Sequence, residues 1–159
     1  MVRGNRVLSG EWWMVNSVTM KIQSYKELEV WRVAMDLVDL IYDVTASFPA
    51  EERFGLSQQM RRCAVSIPSN IAEGSARAGT RELVQFIHIS KGSLAELETQ
   101  VLIARRRHYI NNEVAFQKIS NLITSVGKML ARLSRSLQTK LQSPPTIHHP
   151  PSTRIKESL

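Results

Sequence analysis

A single cysteine, Cys63, among 159 residues excludes an internal disulfide and a cysteine-based zinc site, and it fits a reducing compartment. Aromatic residues are scarce at 6%. The 7 glycines and 6 prolines are thin away from the ends, which weighs against strand-rich folds with their aromatic pairs and frequent tight turns. No apolar run approaches the roughly 18 residues needed to cross a bilayer. The patch Trp12, Trp13, Met14, Val15 is short and closed by Glu11 on one side and Asn16 and Ser17 on the other, unlike a secretory leader. Glycine-rich phosphate loops are missing. None of the glutamates is followed three residues later by histidine, as carboxylate-bridged di-iron bundles require. His88 and His108 stand alone, and His148 and His149 lie in the tail. These absences point to a non-enzymatic, soluble, cytoplasmic protein with no metal, no cofactor, no membrane and no small-molecule substrate.

Apolar residues make up 43% of the chain, and 21 Lys plus Arg against 14 Asp plus Glu give +7 with a pI near 10.0. The charge is unevenly spread. Residues 25–60 hold three basic and seven acidic side chains, a net −4, whereas residues 61–141 hold thirteen basic and five acidic, a net +8. Such a division suits self-complementation between helices or subunits, and equally a basic face open to a polyanion.

Four segments repeat their apolar residues at helical spacing, and none alternates like a strand. The first opens with Ser24-Tyr25-Lys26-Glu27, which reads as a capping box. It carries a seam Leu28, Trp31, Met35, Val38, Tyr42, Thr45 beside a second stripe Val30, Ala34, Leu37, Ile41, Val44, Phe48. Two stripes are more than one neighbouring helix covers, which suggests a bundle interior with a subunit contact beside it. Phe48-Pro49 ends that helix. The second seam is Leu56, Met60, Cys63, Ile67, Asn70, Gly74. It contains Pro68, which predicts a kink or two helical pieces. The third, after a break at residues 74–79 and a cap from Thr80, is Leu83, Ile87, Ser90, Leu94, Leu97, Val101, Ala104. The fourth, capped by Asn111 or Asn112, is Ala115, Ile119, Leu122, Val126, Met129, Leu133, Leu137. Short connections make neighbours antiparallel. The expected fold is all-α: an up-down-up-down four-helix bundle over residues 24–141. Residues 1–23 are an extension, disordered or preceding a start at Met20, and the proline-rich residues 142–159 are a disordered tail.

Tyr25-Lys26-Glu27-Leu28-Glu29-Val30-Trp31, Phe48-Pro49-Ala50-Glu51-Glu52-Arg53-Phe54-Gly55-Leu56, the stretch from Gln59 through Cys63 and Pro68 to Gly74, and Gly92-Ser93-Leu94-Ala95-Glu96-Leu97-Glu98-Thr99 together resemble the bacterial four-helix bundle proteins encoded in intervening sequences of large-subunit ribosomal RNA genes. The resemblance spans about residues 25–137. That family is similar in turn to the accessory variability determinant proteins of diversity-generating retroelements. This likeness implies a basic homopentamer that binds nucleic acid and a reverse transcriptase.

Polar residues on the seams carry two expectations. A reversal near Gly79 sets Asn70 level with Ser90, and Arg62 level with Glu96 and Glu98. The favoured reading is a register-fixing polar layer of Asn70, Glu73, Ser90, Glu96 and Glu98 with an interhelix ion pair; the other is a ligand pocket around Asn70, Glu73 and Ser90. The basic residues Arg61, Arg62, Arg105, Arg106, Arg107, Lys128, Arg132 and Arg135, with Lys118 beside them, are candidates for phosphate contact, weighed against a plain solvated face. Two functions follow: an oligomeric scaffold for RNA or an RNA-binding enzyme such as a reverse transcriptase, or a purely protein–protein self-assembly module.

Overall fold

The computed structural model describes residues 24–142, so the expectations for residues 1–23 and for the tail from residue 143 lie outside the described part. Four α-helices form, α1 (Glu29–Ala46), α2 (Leu56–Ala76), α3 (Thr80–Arg106) and α4 (Glu113–Gln142), with short 3-10 turns at Tyr25–Glu27 and Ala50–Phe54 and no strand among the described residues. Helix α1 packs on α2, α2 on α3, α3 on α4 and α4 back on α1, while the diagonal pairs stay apart. This closed ring of neighbours is a four-helix bundle.

The α2–α3 seam shows the direction of packing. Ser90 Oγ donates across to the Ile67 carbonyl at 3.1 Å, Ser66 and Ser93 hydroxyls meet at 2.9 Å, and Gln100 Nε2 lies 3.5 Å from Cys63 Sγ. As numbers fall along α2 they rise along α3, so the two run antiparallel. The α3–α4 pair does the same through His88 to Ser134 at 3.1 Å and Arg105 to Glu113.

All seven seam residues expected on α3 are buried. On α1 the second stripe supplies most of the core: Leu37 and Ile41 are fully buried, and of the first seam Val38 and Thr45 are buried while Trp31 and Met35 are half-buried and Tyr42 is exposed. On α4 the core face is turned toward Ile123, Leu130 and Ser134. Helix α2 runs unbroken through Pro68, whose ring is itself buried, so the two-piece alternative does not occur. Gly74 lies inside α2 rather than at a break, and a Cβ there would sit 2.7 Å from Phe86 Cβ. It marks the close approach of α2 to α3.

The helix ends depart from expectation at two places. Ser24 accepts from Lys26 N and so caps only the short first turn, while α1 begins at Glu29 behind Leu28, which has no capping side chain. Thr80 is the first residue of α3 rather than its cap; Gly79 holds that position. Asn112, not Asn111, caps α4, its Oδ1 accepting from Ala115 N at 3.1 Å.

Candidate nucleic-acid interface

The three consecutive arginines at the end of α3 divide their work. Tyr109 N donates to the Ala104 carbonyl at 2.9 Å and His108 N to that of Arg105 at 3.1 Å. His108 adopts a left-handed φ of 59°. These two bonds form a Schellman cap. The cap turns the Tyr109 ring against Phe48, 5.5 Å between centroids, and its hydroxyl onto Glu52 at 3.2 Å. Arg105 locks the same corner: Nη1 donates to the Ile110 carbonyl at 2.8 Å, Nη2 pairs with Glu113, and the guanidinium lies 5.1 Å over the Phe116 ring. Its role is therefore to hold the α3–α4 connection, not to present charge. Arg106 and Arg107 remain exposed, and neither forms an ion pair among the described residues.

Helix α4 bears one carboxylate, Glu113, against five cations. Lys128, Arg132 and Arg135 follow at i, i+4 and i+7, which places them on one face, and all three are exposed. No ion pair neutralises them among the described residues. Lys118 differs, because it shares a shallow groove with Asp36, Asp39 and Asp43 of α1. An anionic backbone is disfavoured there.

Helix α2 contributes Arg61 and Arg62. Arg61 Nε donates to Thr45 Oγ1 at 2.8 Å and its guanidinium stacks 4.9 Å from the Tyr42 centroid. Buried Thr45 in turn donates to the Ile41 carbonyl at 2.7 Å. Arg62 is exposed, and the ion pair expected with Glu96 or Glu98 does not form. Both glutamates are exposed, although Glu96 also turns one oxygen toward Gln100.

The polar layer is built only in part from the residues the seam numbering suggested. Ser90 is fully buried, but Asn70 spends its amide on the Ser66 carbonyl and hydroxyl of its own helix, at 2.7 and 2.9 Å. Glu73 is exposed and pairs with Arg77 at 2.6 Å. A ligand pocket joining Asn70, Glu73 and Ser90 does not assemble. Gln100 also takes part: it reaches Cys63 and Glu96 Oε1, the latter at 3.2 Å, leaving its own Oε1 buried without a partner among the described residues. Burial pushes the Cys63 thiol above its ordinary 9.0, and its hydrogen bond to Glu96 adds to the rise. A thiol so placed is a poor nucleophile.

One lined surface had no signal in the periodicity. Between α1 and α2 a groove of about 510 Å³ is walled by Tyr42, Arg53, Phe54, Gln58, Arg61 and Arg62, with Val65 and Ser66 at its far edge. Phe54 is 79% exposed and Tyr42 45%. Phe54 falls in a non-periodic connector, so helical seams do not reveal it; a phenylalanine between Arg53 and Gly55 was the available clue.

Among the described residues no three His, Cys, Asp or Glu side chains gather as metal ligands would, and no helix is long and apolar enough to cross a membrane. A protein of unknown function from the S23 ribosomal protein family of Bacteroides thetaiotaomicron has a similar fold, with a TM-score of 0.61 and 21% identity over 67% of this chain and 95% of that one. No curated protein matches the chain. The sequence profile of the 23S rRNA-intervening sequence proteins matches residues 26–132, and the chain belongs to that family.

Proposed function

We propose that this protein is a non-enzymatic, homo-oligomeric scaffold of the cytoplasm that associates with RNA, directly or through an RNA-binding enzyme such as a reverse transcriptase. The observation that carries this reading is the outer face of α4, where Lys128, Arg132 and Arg135 stand exposed, without an ion pair among the described residues, on a helix with a single carboxylate. Arg62, Arg106 and Arg107 add further exposed cations with no ion pair among the described residues. Phosphate contacts by such groups are sequence-independent and governed by counterion release. Association multiplies the effect. Sixteen basic and twelve acidic residues between positions 25 and 141 give +4 per bundle, so a pentamer, the assembly implied by resemblance, concentrates about +20 on one particle. Membership of a family linked by name to 23S rRNA favours RNA as the polyanion.

The test joins light scattering to RNA titration at low salt. Wild-type protein should be an oligomer at micromolar concentration, and Lys128→Ala/Arg132→Ala/Arg135→Ala should weaken binding to every RNA and flatten its salt dependence. A monomer would remove the assembly. An oligomer whose RNA binding is undetectable, or indifferent to the triple variant, would leave a protein–protein module. The acidic carboxylates of α1 opposite the basic later helices supply the charge pattern for that second reading.

A further inference from the structure

We propose that the α1–α2 groove binds unpaired nucleotides of single-stranded RNA, with Phe54 as the stacking ring and Arg53, Arg61 and Arg62 as the phosphate ligands. The inference rests on the RNA reading above and names the part of the nucleic acid that this groove takes. Three features of the groove point the same way.

Its exposed surface is aromatic where most of the protein's surface is not. Phe54 leaves 79% of its area in solvent, a position that contributes little to the core. The backbone that carries the ring is also held in place. It ends the 3-10 turn Ala50–Phe54, and Glu52 fixes that turn by accepting from Leu56 N at 2.9 Å and from the Tyr109 hydroxyl at 3.2 Å. An exposed ring on a fixed turn presents its face without rearrangement of the backbone, and base–aromatic stacking tolerates any sequence.

Cations flank the ring, and among the described residues no carboxylate lines the groove. Arg53 lies 5.6 Å from the Phe54 centroid and Arg61 4.9 Å from that of Tyr42. Arg61 uses Nε on Thr45, which fixes the plane of the guanidinium while its terminal nitrogens make no bond among the described residues. Arg62 has no ion pair there either. Gln58 adds a neutral donor and acceptor of the kind that meets base edges and ribose hydroxyls, whereas the Ser66 hydroxyl is already engaged by Ser93 and Asn70.

The shape admits a strand. The volume of about 510 Å³ lies within the range of about 300–1,000 Å³ typical of small-ligand sites. A second depression lined by Phe48, Pro49 and Ser57 continues from it, with Arg53 and Arg61 shared by both. A duplex buries its bases in the stack, so it offers this groove phosphates only. An unpaired segment offers both faces of a base and its phosphates. That difference distinguishes the groove from the α4 face, where Lys128, Arg132 and Arg135 have phosphate chemistry alone.

The experiment compares a fluorescent single-stranded RNA with a duplex of equal length, on the full chain, by anisotropy. Phe54→Ala should weaken single-stranded binding about 5- to 150-fold, the span expected for one lost stack, leave duplex affinity within twofold, and leave the salt slope unchanged. Phe54→Trp should restore the affinity and show quenched fluorescence on binding. Arg53→Ala/Arg62→Ala should lower the salt slope for single strands. If wild-type protein binds single-stranded RNA but Phe54→Ala binds it equally well, or loses both RNAs alike, the groove assignment is overturned while the scaffold reading stands. Absence of any RNA binding at low salt overturns both. A Phe54→Ala protein that dissociates in light scattering yet keeps its RNA affinity shows that a second copy of the chain fills the groove, and overturns the assignment as well.

Discussion

Three glycines lie inside helices of this bundle, and replacing each by alanine isolates the packing of α2 against α3 from helix propensity. An alanine gains about 1 kcal/mol over glycine in a helix interior, and that gain is common to all three sites. At Gly92, on the exposed side of α3, an added Cβ meets nothing within 4 Å, so Gly92→Ala should stabilise by the full amount. At Gly127 it would touch Leu94 Cδ2 at 3.4 Å, an ordinary contact with a movable methyl, and most of the gain should survive. At Gly74 it would stand 2.7 Å from Phe86 Cβ and 3.1 Å from Leu83 Cδ1. Normal carbon contacts are about 3.5–4.0 Å, so α2 and α3 must separate by roughly 1 Å there. A Cβ cannot rotate away as a side-chain end does. Overpacking of this kind costs about 1–3 kcal/mol, so Gly74→Ala should be neutral to about 2 kcal/mol destabilising. The gap between Gly92→Ala and Gly74→Ala is then about 1–3 kcal/mol. Urea unfolding followed by far-ultraviolet circular dichroism, at one fixed protein concentration so that any association term cancels, measures it. If Gly74→Ala were as stabilising as Gly92→Ala, the close approach of α2 and α3 would be refuted.

Leu97 is fully buried, so Leu97→Ala should cost about 2–5 kcal/mol, whereas exposed Asp39→Ala should stay within about 0.5 kcal/mol; equal midpoint shifts in urea would mean the helix faces are misassigned. His108 sits at φ 59°, where glycine is unstrained, so His108→Gly should raise stability by up to about 1 kcal/mol, and a fall would show that the imidazole holds the corner. Because the folded Cys63 thiol is held above its ordinary 9.0 by burial and by Glu96, the unfolded chain releases its proton first. The sign is that Cys63's contribution is intact below about pH 9 and is lost as pH rises further. Cys63→Ser should flatten that alkaline decline, and iodoacetamide should label native Cys63 far more slowly than the unfolded chain.

The helix count and the α3 core were legible because α3 keeps one apolar seam with polar residues between its members, so periodicity alone orients it. Helix α1 offered two adjacent apolar stripes, and only packing against α2 and α4 decides that Leu37 and Ile41 go inside while Tyr42 meets Arg61 instead. Matching levels across a reversal placed Ser90 in the right layer, but it could not foresee that Asn70 would bond within its own helix. Short amides and hydroxyls often find a backbone carbonyl one turn back. The arginine triplet was legible as charge, not as roles. Arg105 is consumed because the Schellman cap swings Ile110 and Glu113 back onto it, a consequence of loop geometry three to eight residues away. The Phe54 groove was not legible at all, since it depends on where a non-periodic connector lands.

A bundle that engages RNA through its phosphates, as proposed here, must show it in the salt dependence of binding. Affinity of the full chain for a single-stranded RNA, measured from 50 to about 300 mM salt, should fall linearly on logarithmic axes. With about 0.7 counterions released per contacted phosphate, three or more cations acting together give a slope of about −2 or steeper. A slope near zero, or no binding at the lowest salt, would contradict the claim.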